Sequence, residues 1–533
     1  MKRLNDAALS GMDILGRQIG SAADCPPRRG KQVGMFYFLC QTDKRTEYFE
    51  DLLDAYDVET LGAAGTPFYD YPYGTPFYWG KPLYGRYYSG DEWVMRRHVE
   101  LLTLAGIDFL VMDTTNLCAF IPQVTLLMRI LDEGLKNGIE TPKIAFYTNT
   151  NSGERIRELY EGIYRPGVYP DTWYRIDGKP LMIGIAEQTD PELLDFFHFK
   201  NSQWPGQPYR DNAFPWIDFG WPQTCYATAD GQERTVSVSV AQNSGKTACF
   251  GENYFYGSNG CHGRSWHDGA AHQTPDSYMY GYNFAEQWRG ARAIDPDTVF
   301  VTGWNEWIAG VWNGNTDPVA IFDCLSPEYS RDIEPMAGGF GDAYYLQLID
   351  EVRRFKGIEP GQTAACPVEL DNLTTAKVER RTETCDGVLA DDSLRNVLVK
   401  TGVQRHGDML EFYAETREPL DPTDRVGDWM RLYVNPDLPD AFCYCLNLRT
   451  VSETETVAAR RVNGRWQRCG AVSYRIEGNR LTLSVPAGLI GDPEQVYVKW
   501  VDSRIHCRRP EDFYLYGSVV PIGSLYYRIG LKG

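Results

Sequence analysis

The sequence predicts an α/β protein: a (β/α)8 barrel over residues 1–358, followed by an antiparallel β-sandwich over residues 365–533. Three observations predict it. Within the first 358 residues, continuous apolar runs alternate with amphipathic stretches of helical spacing, the rhythm of a parallel sheet whose strands are joined by helices. Beyond about residue 360 the pattern changes to short alternating runs broken by Gly, Asn, Asp and Pro, the rhythm of an antiparallel sandwich. A length of 533 residues exceeds one ordinary domain and accommodates a barrel plus an accessory unit.

The elements follow in order. VGMFYFL (33–39) is apolar throughout, as a strand buried on both faces must be. The segment 91–106 has helical spacing at Val94, Leu101, Leu102 and Ala105, with a capping box read at Ser89 and Glu92 and a stop at Gly106. IDFLVMDTTN (107–116) is a strand with a polar tip, and 122–137 is a helix with Pro122 in its first turn and Gly138 behind it. KIAFYTNT (143–150), KPLMIGIAEQ (179–188), FPWIDFG (214–220), TVSVSVAQN (235–243) and TVFVTGWNEW (298–307) continue the strands. Helices are expected at 153–163, 190–198, 278–292 and 342–355. Seven strands are legible, and the eighth is inferred from closure. The boundary falls in GIEPGQTAACP (357–367), rich in turn residues.

Composition excludes several classes. The net charge of −19 argues against nucleic acid as partner, and no run of about 18 apolar residues exists to span a membrane. The N-terminal stretch lacks the apolar core of a secretory signal, and 13 scattered cysteines read as reduced thiols, so the expected location is cytoplasmic. No dinucleotide fingerprint, phosphate loop or G-x-S-x-G elbow is present, and no cofactor is expected. The chain is instead rich in rings, with 14 Trp, 34 Tyr and 23 Phe.

A barrel carries its chemistry at the C-terminal ends of its strands. Those tips hold Asp113, Asn149, Asn151, Glu187, Asp218, Gln242, Asn243, Asn305 and Glu306, a set of carboxylates and amides suited to polyhydroxylated ligands. Glu306 stands out because it follows a buried run and lies between Trp304 and Trp307. Indole neighbours desolvate a carboxylate and offer flat apolar faces to a sugar ring. The competing reading is a structural Glu paired with Arg289 or Arg292. Asp113, which ends a strongly apolar strand, is the first choice for a second carboxylate beside Glu306, with Glu187 and Asp218 in reserve.

The WNEW motif at the end of a barrel strand resembles the glycoside hydrolase family 99-like group, which includes endo-α-mannosidases. The strings VGMFYFL, RYYSGDEWVMRRHVELLTLAGIDFLVMDTTN and GWNEW also resemble a broader set of glycosidases with a barrel and a C-terminal sandwich. In the family the motif is NEWxE, with one glutamate acting on the sugar 2-hydroxyl and the other as acid. Asn305, Glu306 and Trp307 match, whereas Ala309 stands where the second glutamate belongs. The resemblance implies a glycoside hydrolase acting on an oligo- or polysaccharide. The vacancy at Ala309 motivates the alternative, a non-catalytic carbohydrate-binding protein on a glycosidase-like barrel.

Two loops complete the expected site. In TPFYDYPYGTPFYWGKPLYGRYY (66–88) the rings of Tyr69, Tyr71, Tyr73, Tyr78, Trp79, Tyr84, Tyr87 and Tyr88 cannot all be core, so some are expected as exposed platforms or a rigid lid; the alternative is a self-packed surface loop. The stretch 251–276 offers Arg264, Trp266, His267 and Asp268 for substrate contact. Its histidines, His262, His267 and His272, lack a rigid frame for zinc, so no metal is expected. His98, on the apolar stripe of its helix, reads as a satisfied core histidine. In the C-terminal half, Asp421, Asp424, Asp428 and Asp437 read as solvated turn carboxylates rather than a calcium site.

Overall fold

The computed structural model describes residues 8–41, 47–48, 76–205, 207–242, 262–271, 274, 276–312, 320–322, 327–358, 365–372, 394–437 and 442–532. Eight parallel strands form a nearly closed barrel: β1 (Gln32–Tyr37), β2 (Phe109–Asp113), β3 (Lys143–Tyr147), β4 (Lys179–Gly184), β5 (His198–Gln203), β6 (Ala213–Pro215), β7 (Thr235–Ser239) and β8 (Thr298–Thr302). They pair in the order β6-β5-β4-β3-β2-β1-β8-β7. No ladder is described between β6 and β7. There, side chains span the seam: Thr302 Oγ1 donates to the Trp216 carbonyl and Gln242 Nε2 to the Asp218 carbonyl, each at 2.6 Å.

Strand alternation divides the core into two layers. Phe36, Phe109, Val111, Ala145, Tyr147, Leu181, Ile183, Phe214 and Phe300 pack together inside the barrel. Their neighbours Met35, Tyr37, Leu110, Met112, Phe146, Met182, Val238 and Val301 point outward to the helices. Gly34 leaves room for the Phe109 ring, which would lie 2.4 Å from an added Cβ.

Among the described residues, six helices surround the strands: α1 (Glu92–Leu104), α2 (Ile121–Lys136), α3 (Ser152–Leu159), α4 (Pro191–Phe196), α5 (Tyr282–Ile294) and α6 (Ala343–Lys356). The cap of α1 is Asp91, whose carboxylate accepts from the Trp93 and Val94 amides, and not the expected Ser89. Ser89 instead exchanges hydrogen bonds with Gln41. The eighth strand, β5, was not legible. Its sequence HFKNSQ is polar, and the apolar residues just before it extended the expected helix to 198. The strand expected at 214–220 is only Ala213–Pro215, after which the chain turns back without forming a helix.

The C-terminal region is one large antiparallel sheet. Its strands are β9 (Val368–Asp371), β10 (Leu398–His406), β11 (Met409–Thr416), β12 (Asp428–Asn435), β13 (Tyr444–Cys445), β14 (Glu455–Val462), β15 (Arg465–Glu477), β16 (Arg480–Pro486), β17 (Gln495–Ser503), β18 (Ser518–Val520) and β19 (Leu525–Gly530). A single hydrogen-bonded path runs β19-β17-β12-β13-β14-β15-β16-β11-β10-β9. Its two ends approach each other through an Ala365–Gly530 bridge and a bond from the Leu398 amide to Ser518 Oγ. The sheet therefore folds over its own apolar core, in which Trp429 and Trp500 are buried. Leu9–Gly11, within the stretch expected to build the barrel, pairs with β19 and extends this sheet.

Candidate active site

The β8 tip sorts its side chains between two environments. Trp304 and Trp307 are fully buried in the layer between barrel and helices. Trp304 meets the His98 ring edge-on, and Trp307 stacks on Trp79 with centroids 4.7 Å apart. Asn305 is buried too: its Oδ1 accepts from the Phe38 amide, and its Nδ2 donates to the Phe38 carbonyl and Tyr87 Oη. It ties the β8 tip to the β1 tip. These residues hold Glu306; the burial of Trp304, Asn305 and Trp307 corrects the expectation that they touch a sugar. Trp79 and Tyr78 require the same correction. Trp79 Nε1 donates to the Glu306 carbonyl at 2.7 Å, Tyr78 Oη to the Tyr87 carbonyl, and both rings are buried. Tyr69, Tyr71, Tyr73, Asn243 and His272 lie outside the described residues.

Glu306 is 7% exposed. Its Oε2 accepts from an Arg331 guanidinium nitrogen at 2.5 Å, and Arg331 in turn lies over the Trp216 ring at 4.9 Å. The expected partners are engaged elsewhere, Arg289 with Glu286 and Arg292 with Glu351. The Glu306 amide donates to Asp332 Oδ1. Burial pushes the Asp332 carboxyl up to about 7, against the pull of that amide and of Arg264 and Arg331.

Beside this lies a buried polar chain. Tyr37 Oη is 2.8 Å from His98 Nδ1, and His98 Nε2 is 3.0 Å from Glu334 Oε1. Glu334 Oε2 also accepts from Tyr87 Oη at 2.8 Å and Trp307 Nε1 at 2.5 Å. His98 is thus the partnered core histidine the sequence indicated, and the buried Glu334 has donors on both oxygens.

Asp113 ends β2, 9% exposed, with Oδ1 accepting from the Thr115 amide and hydroxyl at 3.0 and 2.7 Å. β2 is separated from β8 by β1 alone. The Cys40 thiol, just beyond β1, is raised well above its ordinary value by burial first, and then by the negative charges of Glu306, Asp113 and Asp332. Cys40, Asp113 and Glu306 thus stand at or just past the C-terminal ends of the neighbouring strands β1, β2 and β8.

The other expected residues are dispersed. Asn149 Oδ1 accepts from Ser202 Oγ at 3.1 Å on the rim. Glu187 is exposed and paired with Arg210 at 2.5 Å, and Asp218 closes its own loop on the Gly220 and Thr224 amides. Arg264 is fully buried over Phe340 and Tyr344 and donates to Ser330 Oγ and the Asp332 carbonyl, so it braces the 330–332 segment. Trp266 stacks on His262, whose imidazole burial pushes down to about 4, and His267 bonds the exposed Asp268. In the C-terminal sheet, Asp424 pairs with Arg395 and Arg504, and the buried Asp428 with Arg431 and His506.

Among the described residues one group has metal-ligand spacing: Asp177, His198 and Glu233 offer atoms within 4.8 Å of one another. It lies at the N-terminal ends of the strands, opposite the mouth, and Lys200 already neutralises Glu233. Sequence reasoning missed Arg331, Asp332 and Glu334. They lie in the short string RDIE, which carries no strand or helix period; its one signal was two acids and an arginine within four residues.

No family model and no curated sequence matches the chain. Among solved structures it is similar to the GH99 endo-α-mannosidase from Bacteroides thetaiotaomicron, at 15% identity and TM-score 0.34, covering 61% of this chain and 97% of that one. A glycoside hydrolase-like protein matches at 12% identity and TM-score 0.34, covering 61% and 96%. An α-L-fucosidase isoenzyme 1 from Paenibacillus thiaminolyticus matches at 10% identity and TM-score 0.23, covering 85% and 96%. At such values none of them bears on what this chain does. Among the described residues, no helix is long and apolar enough to cross a membrane.

Proposed function

We propose that the chain is a glycoside hydrolase acting on an oligo- or polysaccharide, with Glu306 and Asp113 as its two carboxylates. The observation that carries this reading is that Glu306 and Asp113, both buried, stand at or just past the C-terminal ends of β8 and β2, the two strands that flank β1 in a parallel barrel. The ion pair with Arg331 casts Glu306 as the anionic member, a base or nucleophile, while Asp332 and Asn305 fix the backbone from which it projects. Asp113, with one oxygen anchored by Thr115, supplies the second carboxylate from the adjoining strand tips.

The test is a product screen against oligosaccharides and aryl glycosides with wild type, Glu306→Gln and Asp113→Asn side by side. Turnover by the wild type, falling by about 10²–10⁴ in each variant, is expected. Undiminished turnover in Glu306→Gln sinks the reading. A second reading, a carbohydrate-binding protein on a lapsed barrel, is favoured by Ala309 and by the engagement of Glu306 with buried Arg331. Glycan affinity without product in any of the three proteins would select it.

A further inference from the structure

The C-terminal sheet carries a charge feature opposite in sign to the chain. Residues 456–476 contain Arg460, Arg461, Arg465, Arg468 and Arg475 and no Asp or Glu, in a protein of net charge −19. They form the β14–β15 hairpin. Its turn is Asn463-Gly464, with φ of 49° and 75°, the left-handed pair that a two-residue hairpin turn requires. The turn fixes the register: Ala459 lies opposite Arg468, Arg461 opposite Trp466 and Val462 opposite Arg465. With side chains alternating along each strand, Arg460 and Arg465 ride on one face of this short finger and Arg461 and Arg468 on the other, and all four are exposed.

Several arginines elsewhere in the same sheet and its loops have a carboxylate partner. Arg475 pairs with Glu411, Arg480 with Glu415, Arg405 with Asp492 and Arg504 with Asp424. Among the described residues no ion pair involves Arg460, Arg461, Arg465 or Arg468. Arg460 and Arg461 instead lie over the rings of Tyr444 and Trp466, 5.8 and 6.0 Å from their centroids. Packing on rings steadies the guanidinium groups without neutralising them. A hairpin with like charge on both faces and no ion-paired counter-charge among the described residues is matched by a flexible ligand whose negative charges repeat along a chain that can wrap it.

We propose that the β14–β15 hairpin binds an anionic polysaccharide, a polymer whose sugars carry carboxylate or sulfate groups, through Arg460, Arg461, Arg465 and Arg468. The choice of a polysaccharide over other polyanions rests on the reading of the barrel as carbohydrate-active. The hairpin would hold the polymer that the barrel cleaves, so that an acidic protein acts on an acidic substrate through a local basic surface.

The test measures binding of the full-length protein to polygalacturonate, dextran sulfate, uncharged dextran and duplex DNA at low and high salt. The proteins compared are the wild type, a variant combining Arg460→Gln, Arg461→Gln, Arg465→Gln and Arg468→Gln, and the corresponding four-fold Lys variant. The wild type is expected to bind polygalacturonate or dextran sulfate but not dextran, with affinity falling as salt rises. The Gln variant should bind about tenfold more weakly or worse, with a shallower salt slope, and the Lys variant should retain most of the affinity. The two charged polymers separate carboxylate from sulfate recognition. Absence of binding to both at low salt, equal binding by the Gln variant, or tighter binding to DNA than to either polysaccharide overturns the proposal. Turnover of the bound polymer separates the two readings: hairpin-dependent binding by a wild type that releases no product, or whose turnover survives Glu306→Gln, leaves the hairpin assigned and the barrel reading refuted.

Discussion

Asp332 couples protonation to the position of Glu306. Its carboxyl is pushed up to about 7 by burial, while its Oδ1 receives the Glu306 amide. An unfolded Asp titrates near 4, so between about pH 4 and 7 the folded chain holds a proton that the unfolded chain has lost. The stability from this group is therefore fully present below about pH 4 and is lost as pH rises through 7, on the order of a few kcal/mol over the span. Glu351, also raised to about 7 by burial beside Arg292, acts in the same direction. The difference between proteins isolates Asp332: in Asp332→Asn, melting temperature should fall less between pH 5 and pH 8 than in the wild type. An identical fall would mean that the residue does not titrate in this range. The placement of Glu306 and Asp113 at strand ends was legible because strand tips are countable from apolar runs. Arg331, Asp332 and Glu334 were not, because they act through contacts that cross the barrel mouth and leave no local period.

At the scale of elements, the approach of α3 to the end of β4 shows what orders the rim. Ser152 Oγ accepts from the Ile185 amide, its amide donates to Gln188 Oε1, and Thr148 Oγ1 lies 2.7 Å from Ser152 Oγ. The contact is so close that a Cβ on Gly153 would lie 1.8 Å from the Gln188 carbonyl oxygen. Gly153→Ala should force the helix away from the rim and destabilise the fold by about 2 kcal/mol or more, read as a lower urea midpoint. A midpoint unchanged from wild type would show that α3 shifts without cost. Sequence reasoning placed this helix at 153–163, and most helices with it, because their apolar stripes are local. β5 escaped because its residues combine polar side chains with burial supplied by neighbours: Lys200 pairs with Glu233, and the Gln203 amide donates to Tyr147 Oη. The aromatic segment before α1 was legible as dense but not as buried. Which ring faces inward depends on Trp307, Glu334 and His98, far away in the chain.

At the scale of the whole molecule, the two regions are joined by buried contacts rather than a bare linker. Leu9–Gly11 adds a strand to the C-terminal sheet, and Arg353 of α6 donates to the carbonyls of Leu9 and Gly20 at 3.0 and 2.9 Å. Tyr514 Oη donates to Asp342 Oδ2 at 2.6 Å, where Asp342, at the start of α6, is raised above its ordinary value by burial. A composition shift near residue 360 marks where the pattern changes, but a three-residue strand pairing with one more than 500 positions away has no local signature. These contacts predict that the barrel and the sheet unfold together. Tyr514→Phe removes one hydroxyl and leaves the buried Asp342 short of a donor, at a cost of about 1–3 kcal/mol. Spread over a cooperative unit of this length, that is roughly 1–3 °C in melting temperature. Calorimetry should show a single transition in the wild type and the whole of it displaced in the variant. Two resolved transitions, of which the substitution moves only one, would mean that the Asp342 contact joins two regions that fold independently.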